Sequence, residues 1–215
     1  MNFYTMKHSD NPDYCAIYDI PREMEQSYRS STGMRVGALH DSGISLRMAR
    51  EVSGKKVPDL INQVIGQFVV SHRAADIFKG VVNTEVEYLP ISLLNHRKKV
   101  AANDLVILNV IGYYDCLDRT RTEGYPAYDL TGPEQVTAKK NGLPRREEEV
   151  NDSDFEYVKI TRLLLHPQRT PSDANLFRLR SHIRTLIFRE DVVDRLQQAK
   201  VTGAAFVPIG QPVEI

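Results

Sequence analysis

The chain contains two similar stretches in which apolar and polar positions predict a strand, a helix and a second strand. They span residues 68–91 and 186–209 and align without a gap at a constant offset. In both stretches a short apolar run predicts the first strand, and apolar residues at helical spacing predict the helix. A proline closes each second strand, where it suits a strand terminus. The pattern therefore predicts an internal repeat of two strand–helix–strand units.

Corresponding residues of the two units predict a shared core. Phe78 aligns with Leu196 on the helices, and Tyr88 aligns with Phe206 on the second strands. Neither unit has enough apolar surface to fold alone, so we predict that they contribute to one mixed or antiparallel sheet and bury these four side chains. Ser71 precedes the first helix and is its predicted N-cap.

Further strands are predicted outside the repeats. The runs Leu105–Tyr114 and Tyr157–Leu165 are rich in β-branched and aromatic residues and predict buried strands. Tyr113 and Tyr114, at the end of the first run, are interpreted as core residues rather than binding residues. Repeated glycine and proline in residues 119–155 predict a long irregular insertion.

The predicted fold class is therefore α+β, with a mixed or antiparallel sheet built around two strand–helix–strand pseudo-repeats. We place this domain at residues 57–215. Residues 1–56 carry weaker signals, with strand candidates at 14–20 and 44–52. They are assigned to an N-terminal variable region.

Composition and charge exclude several classes of protein. Hydrophobic residues make up 41% of the 215 residues, which is too many for a disordered chain. Lysine and arginine total 28, as do aspartate and glutamate, so the net charge of zero argues against a globally basic nucleic-acid-binding protein. No apolar run reaches the roughly 18 residues of a membrane span, and the N-terminal residues lack the apolar centre of a secretory signal. We therefore expect a cytoplasmic protein that does not bind membranes.

One polar cluster beside an apolar strand permits two interpretations. Asp115, Cys116 and Asp118 are followed by Arg119. An enzyme would use Cys116 as a nucleophile, with a histidine supplied from elsewhere in the fold. Alternatively, Cys116 is a small buried hydrophobic residue, and the aspartates cap a turn and pair with Arg119. We favour the second interpretation and predict no catalytic residues.

The sequence predicts neither a metal site nor a cofactor. Two cysteines, Cys15 and Cys116, cannot form a metal site by themselves. The six histidines never recur three or four residues apart, so the sequence has no helical metal-binding pair. It also has no glycine-rich phosphate-binding motif.

Acidic residues concentrate in the predicted insertion. Residues 113–160 contain 11 acidic and 7 basic side chains, a net charge of −4. Much of the excess lies in Glu147, Glu148, Glu149, Asp152, Asp154 and Glu156. The first five of these residues form the acidic run. The run is either a solvated loop or a surface that meets a basic partner and steers its approach.

Several segments of the chain resemble a large bacterial family. They include Pro58-Asp59-Leu60, the step from strand to helix in each repeat, Asp-Cys-Leu-Asp at 115–118 and Val-Thr-Gly-Ala-Ala-Phe-Val-Pro at 201–208. The resemblance covers about residues 57–215. The family was first catalogued as a domain of unknown function and was then grouped, mainly from gene neighbourhoods, as the eleventh family of immunity proteins in polymorphic-toxin systems.

The resemblance implies an antitoxin-like protein that binds and blocks a cognate toxin encoded nearby. It carries over no catalytic residue. The first hypothesis is therefore a cytoplasmic immunity protein that occludes its toxin, with the acidic run and the N-terminal region as the expected contact surface. Two alternatives stay open. One is a small hydrolase that reverses a toxin's modification through Asp115, Cys116, Asp118 and a histidine, and the other is a regulatory or scaffold protein unrelated to toxins.

Overall fold

Two helices and three β-sheets form the described part of the chain in the computed structural model, which describes residues 1–19, 33–35, 44–49, 54–64, 67–126 and 157–213. Helix α1 comprises His72–Val81 and helix α2 comprises Glu190–Gln198. The strands are β1 (Phe3–His8), β2 (Ile17–Asp19), β3 (Ile44–Met48), β4 (Leu60–Val64), β5 (Gln67–Ser71), β6 (Val86–Leu94), β7 (Val100–Val110), β8 (Tyr113–Tyr114), β9 (Glu123–Pro126), β10 (Tyr157–Arg162), β11 (Leu176–Leu179), β12 (His182–Arg189) and β13 (Ala204–Pro208).

The sheets are mixed but mainly antiparallel. The six-stranded sheet has the order β2-β3-β6-β7-β5-β4, the five-stranded sheet has the order β13-β1-β12-β11-β8, and β10 pairs with β9. Only the β3–β6 and β8–β11 pairs among these are parallel. Two helices beside mixed, mainly antiparallel sheets confirm the predicted α+β class.

Both predicted strand–helix–strand units are present, as β5-α1-β6 and β12-α2-β13. In each unit the two strands flank a third strand that is antiparallel to both. This central strand is β7 in the first unit and β1 in the second. A further strand, β4 or β11, pairs with the other side of the unit's first strand. The two units therefore have the same four-strand order, β4-β5-β7-β6 and β11-β12-β1-β13.

The register of the strands agrees with the sequence alignment of the two units. In each unit one residue of the central strand lies opposite aligned positions on both flanking strands: Val106 opposite Val70 and Pro90, and Tyr4 opposite Phe188 and Pro208. The pseudo-repeat is thus a property of the backbone topology as well as of the sequence.

The two units lie in different sheets, whereas the sequence analysis predicted one shared sheet. In each unit the central strand already pairs with the facing edges of the two flanking strands. The two units therefore meet through their apolar faces and not through strand pairing. Helices α1 and α2 pack against each other, and one apolar cluster, the central core, collects side chains from both helices and both sheets. Phe78 and Leu196 are fully buried there, while Tyr88 and Phe206 are half-buried at its margin.

Strand β7 is buried on both faces from Leu105 onward. Val106, Leu108 and Val110 belong to the central core. Leu105 and Ile107 point to the opposite face and join a first outer core with β2 and β3. Burial on both faces explains why Leu105–Leu108 is continuously apolar instead of alternating.

The predicted strand Leu105–Tyr114 is interrupted after Val110. Gly112 adopts a positive φ of 79°, which turns the chain. Tyr113 and Tyr114 then form the short strand β8 at the edge of the other sheet, where they are 46% and 36% exposed. The interpretation of these two tyrosines as core residues is therefore wrong.

Several other predicted boundaries can be compared with the structure. The strand candidates at 14–20 and 44–52 correspond to the shorter strands β2 and β3. The segment 119–155 is not irregular throughout, since it includes β9, and residues 127–156 lie outside the described ones. Strand β1 lies within the region 1–56 that the sequence analysis set apart, yet it is the central strand of the second unit. Among the described residues, no helix has the length and apolar character needed to cross a membrane.

Candidate functional site

The polar cluster at residues 115–119 surrounds a thiol that solvent does not reach. Cys116 is fully buried in a second outer core, with apolar side chains from β10, β11 and β12. Its carbonyl accepts a hydrogen bond from the backbone N–H of His166 at 2.8 Å. Burial, with a smaller effect of the Asp115 charge, raises the pKa of the Cys116 thiol to about 12. The thiol is therefore protonated at neutral pH and is not activated as a nucleophile.

The two aspartates of this cluster stabilise the turn that follows the buried thiol. Asp118 Oδ1 accepts hydrogen bonds from the backbone N–H groups of Thr120 and Arg121 (both 3.2 Å) and from the Thr120 hydroxyl (2.7 Å). Hydrogen bonds from Thr120 and Arg121 lower the pKa of Asp118 to about 2. Asp115 pairs with Arg119 at 3.2 Å. The cluster is the capped turn favoured by the sequence analysis, with Arg121 as an additional partner of Asp118.

We predict that Cys116 does not react with thiol reagents in the folded protein. The test uses a Cys15→Ala variant, which leaves Cys116 as the single thiol. With a chromogenic disulfide reagent at pH 8, the folded variant should react at under ~1% of its rate in urea, because the group is buried and about 10⁻⁴ of it is ionised. Reaction of the folded variant at a rate close to that of the unfolded chain would contradict the assignment.

Asp59 connects the beginning of α1 to the loop after α2. Its carboxylate accepts hydrogen bonds from the Ser71 hydroxyl (2.8 Å), the Arg73 guanidinium, and the backbone N–H and hydroxyl of Thr202 (3.0 and 2.9 Å). Burial disfavours the charge, but the hydrogen bonds from Arg73, Thr202 and Ser71 outweigh burial and lower the pKa of Asp59 to about 2. The Ser71 hydroxyl also accepts from the Ala74 N–H (3.2 Å), which confirms the predicted N-cap.

Asn175 occupies the equivalent place in the second unit. Asp59 directly precedes β4, and Asn175 directly precedes β11. Their carbonyls accept hydrogen bonds from the N-cap residues of α1 and α2, Ser71 (2.8 Å) and Arg189 (2.9 Å). The Asn175 side chain accepts from the backbone N–H of Asn83 after α1, and the Asn83 side chain accepts from the backbone N–H of Asn175, both at 3.0 Å. Each unit is thus bonded to the loop after the other unit's helix.

Gly203 permits the closest approach between the units. Its φ is +99°, which favours glycine. A Cβ at this position would lie 2.0 Å from the Leu60 carbonyl oxygen and 2.7 Å from Pro58 Cβ. The Leu60 N–H donates to the Thr202 carbonyl beside it, at 2.9 Å. Only glycine fits between these backbone segments.

The residues that carry the family resemblance therefore maintain the fold. Pro58-Asp59-Leu60 and the 201–208 segment meet at one contact between the units, which we call the Asp59 joint and define as Pro58, Asp59, Leu60, Ser71, Arg73, Thr202 and Gly203. The 115–118 segment forms the capped turn. Within the described ranges, no three histidine, cysteine, aspartate or glutamate side chains are grouped so that they could hold a metal ion.

A cleft of about 500 Å³ lies between the two helices. It is open to solvent, and its lining mixes small, apolar and charged residues: Asp76, Ile77, Gly80, Arg195, Gln198 and Ala199. Asp76 pairs with Lys79 at 3.0 Å, and its side chain is 73% exposed. This lining has no cysteine, serine, threonine or histidine and no concentration of one charge, so the cleft does not indicate a reaction centre.

The acidic run named in the sequence analysis, Glu147, Glu148, Glu149, Asp152 and Asp154, lies outside the described residues. Its role as a contact surface therefore stays a prediction. The described residues do present an exposed aromatic surface that the sequence analysis missed, at Tyr113 and Tyr114. Gly112 directly before them was the available signal, because a glycine inside an apolar run often marks a break in the strand.

The sequence profile of the immunity protein family Imm11 matches residues 9–211. The chain belongs to the Imm11 family. This match extends further toward the N-terminus than the resemblance recognised over residues 57–215. No curated protein sequence matches the chain. Membership of Imm11 supports an immunity role. The polar cluster at residues 115–119, which stabilises a turn and holds no activated nucleophile, is consistent with that role.

Proposed function

We propose that this Imm11 protein binds a cognate toxin of a bacterial polymorphic-toxin system and neutralises it by covering the toxin's active site. The observation that carries the proposal is the family match over residues 9–211. Protection by occlusion requires the two proteins to meet in one compartment, which we propose is the cytoplasm. The residues expected to contribute most to affinity are desolvated aromatic and arginine side chains inside a polar rim.

The state of the best catalytic candidate supports binding over chemistry. A hydrolase that reverses a toxin's modification would need an accessible nucleophile, and Cys116 is buried with a raised pKa. The carboxylate of Asp118 is occupied by hydrogen bonds within its own turn. Neither side chain is positioned to act on a bound substrate.

The acidic run is proposed to accelerate association with a basic toxin surface. Reversing Glu147, Glu148 and Glu149 to lysine should slow association about tenfold or more at low salt and change dissociation little, because charges at an interface rim act mainly on the on-rate. The measurement is association kinetics with the immobilised toxin between about 20 and 300 mM salt. The difference should shrink as the Debye length shortens.

A matched control separates local steering from total charge. Reversing Asp104, Asp173 and Asp194, three exposed acidic residues outside both expected contact regions, changes the net charge by the same amount. This control should associate at close to the wild-type rate. Equal slowing of both variants, or no slowing of the glutamate variant, would assign the acidic run to a solvated loop.

The function itself is tested by co-expression with the toxin encoded beside this gene. Cells that express the toxin alone should stop growing, and cells that also express this protein should grow while the two proteins co-purify. Persistent growth arrest with soluble protein and no complex would refute the proposal. If the adjacent gene encodes no toxin, the regulatory or scaffold interpretation gains support instead.

A further inference from the structure

Exposed large apolar side chains cluster at one edge of the described surface. Five such residues are exposed among the described ones, and two of them, Met34 and Tyr113, come from neighbouring segments on one side of the sheet edge. The Gly112 N–H donates to the Gly33 carbonyl at 2.7 Å, which places the Met34 backbone beside the turn before Tyr113. Surfaces that combine several large exposed apolar side chains are typical of protein-binding sites.

The backbone and packing under this cluster hold it in place. Strand β8 pairs with β11, so Tyr113 lies beside Arg178 in register. The fully buried Arg178 donates from Nε to the Val110 carbonyl at 3.0 Å, just before the turn. On the opposite face of the sheet, the Tyr114 ring packs edge-on against Phe177, with 5.3 Å between the ring centroids, and this contact anchors β8. A surface fixed in this way loses little conformational entropy when it binds.

An exposed arginine completes the cluster. The Arg180 guanidinium lies over the Tyr113 ring, 5.7 Å from its centroid. No carboxylate of the described residues lies within ion-pair distance of Arg180. The adjacent acid, Asp115, already contacts Arg119 at 3.2 Å and Arg169 at 4.0 Å. The charge beside the Tyr113 ring is therefore positive.

We propose that Met34, Tyr113 and Arg180, the tyrosine–arginine patch, form the central contact for the toxin. This inference rests on the proposed function and deepens it by naming the surface and its partner's chemistry. Tyrosine, arginine and methionine are enriched at the centres of protein interfaces, and tyrosine and arginine dominate their binding energy.

The partner chemistry follows from the residues of the patch. The Tyr113 ring offers flat apolar contact, and Arg180 offers several N–H donors to a carboxylate. The complementary surface on the toxin therefore carries an apolar side chain next to an aspartate or glutamate. Such an acidic contact differs from the basic surface expected opposite the acidic run, so the two regions would meet different parts of the toxin.

The test measures the dissociation constant between a catalytically inactive toxin and variants of the patch. Tyr113→Ala and Arg180→Glu should each weaken binding at least ~30-fold, while Arg180→Lys, which keeps the charge but not the planar fork, should weaken it less. The matched control is Val100→Ala. Val100 is 59% exposed and lies at the far end of β7, about 30 Å along the strand from Val110. The Val100→Ala variant should therefore bind the toxin like the wild type.

The possible outcomes separate the patch from the proposed function. If the wild type binds the toxin, and Tyr113→Ala and Arg180→Glu both bind it as tightly as the wild type does, the patch is not the toxin contact. The proposed immunity function then still stands. If the wild type itself does not bind, both fail. A wild type that forms dimers which Tyr113→Ala dissociates, with unchanged toxin binding, would assign the patch to a second copy and overturn the proposal. Because Arg180 is exposed, Arg180→Glu remains informative even if Tyr113→Ala does not fold.

Discussion

Replacing Gly203 with alanine should cost more than about 4 kcal/mol of unfolding free energy, or prevent folding altogether. About 1 kcal/mol arises from placing an alanine at a φ of +99°. The larger part is steric, because the new Cβ would lie 2.0 Å from the Leu60 carbonyl oxygen. Leu60 is fixed by its hydrogen bond to Thr202 and cannot move without opening the Asp59 joint.

Gly112→Ala is the matched control for this prediction. Gly112 also has a positive φ, 79°, but a Cβ there would have no neighbour within 4 Å. This variant should therefore lose only the conformational part, about 1 kcal/mol. Urea unfolding measures the free energy of unfolding of both variants. Equal losses for the two substitutions would show that the close approach at Gly203 does not constrain the joint.

Replacing Asp59 with alanine should lower the unfolding free energy by about 3 kcal/mol at pH 7. The substitution removes a largely buried carboxylate and leaves the donors of Ser71, Arg73 and Thr202 without their acceptor. The loss should appear in the urea midpoint with an unchanged slope. Asp10→Ala is the control, since the Asp10 side chain is 95% exposed and its loss should change stability by less than about 0.5 kcal/mol.

The difference in unfolding free energy between the wild type and Asp59→Ala should depend on pH. Asp59 ionises with a pKa of about 2 in the fold, below its usual 3.8. A carboxyl group whose pKa is lowered by folding stabilises the folded state at pH values above its usual pKa. This stabilisation is lost as the pH falls through the pKa of the folded state. The stability difference between wild type and Asp59→Ala should therefore narrow by about 1 kcal/mol between pH 6 and pH 3. A difference that stays constant or widens on acidification would contradict the role assigned to the Asp59 charge.

The repeat was predictable from the sequence because its signals are local. Apolar spacing around Phe78 and Leu196 and the Ser71 cap act within one unit, and each appears in the structure at its predicted place. Pro208 ends β13 as predicted, but the prediction for Pro90 is wrong, because Pro90 lies in the interior of β6. The assignment of each unit to its own sheet was not predictable in this way. It depends on β1 and β7 as central strands, and β1 pairs with strands that lie more than 170 residues away in the sequence.

The candidate site was predictable only in part. The interpretation of Cys116 as a buried residue in a capped turn follows from its position beside an apolar strand, and the structure confirms it. The sequence analysis assigned Tyr113 and Tyr114 to the core. The turn at Gly112 instead separates them from β7 and places them in β8, at the edge of the five-stranded sheet. Asp59 and Thr202 gave no local signal of contact, because they meet only when the two units pack.

Inhibition of the purified toxin at increasing amounts of this protein tests the central claim most directly. An immunity protein that acts by occlusion binds one toxin molecule and keeps it, so inhibition should rise linearly and become complete at one equivalent when the toxin concentration exceeds the dissociation constant. Cys116→Ala should give the same titration curve if the variant folds. Complete protection at a small fraction of one equivalent, increasing with incubation time, would instead identify a catalyst and contradict the account.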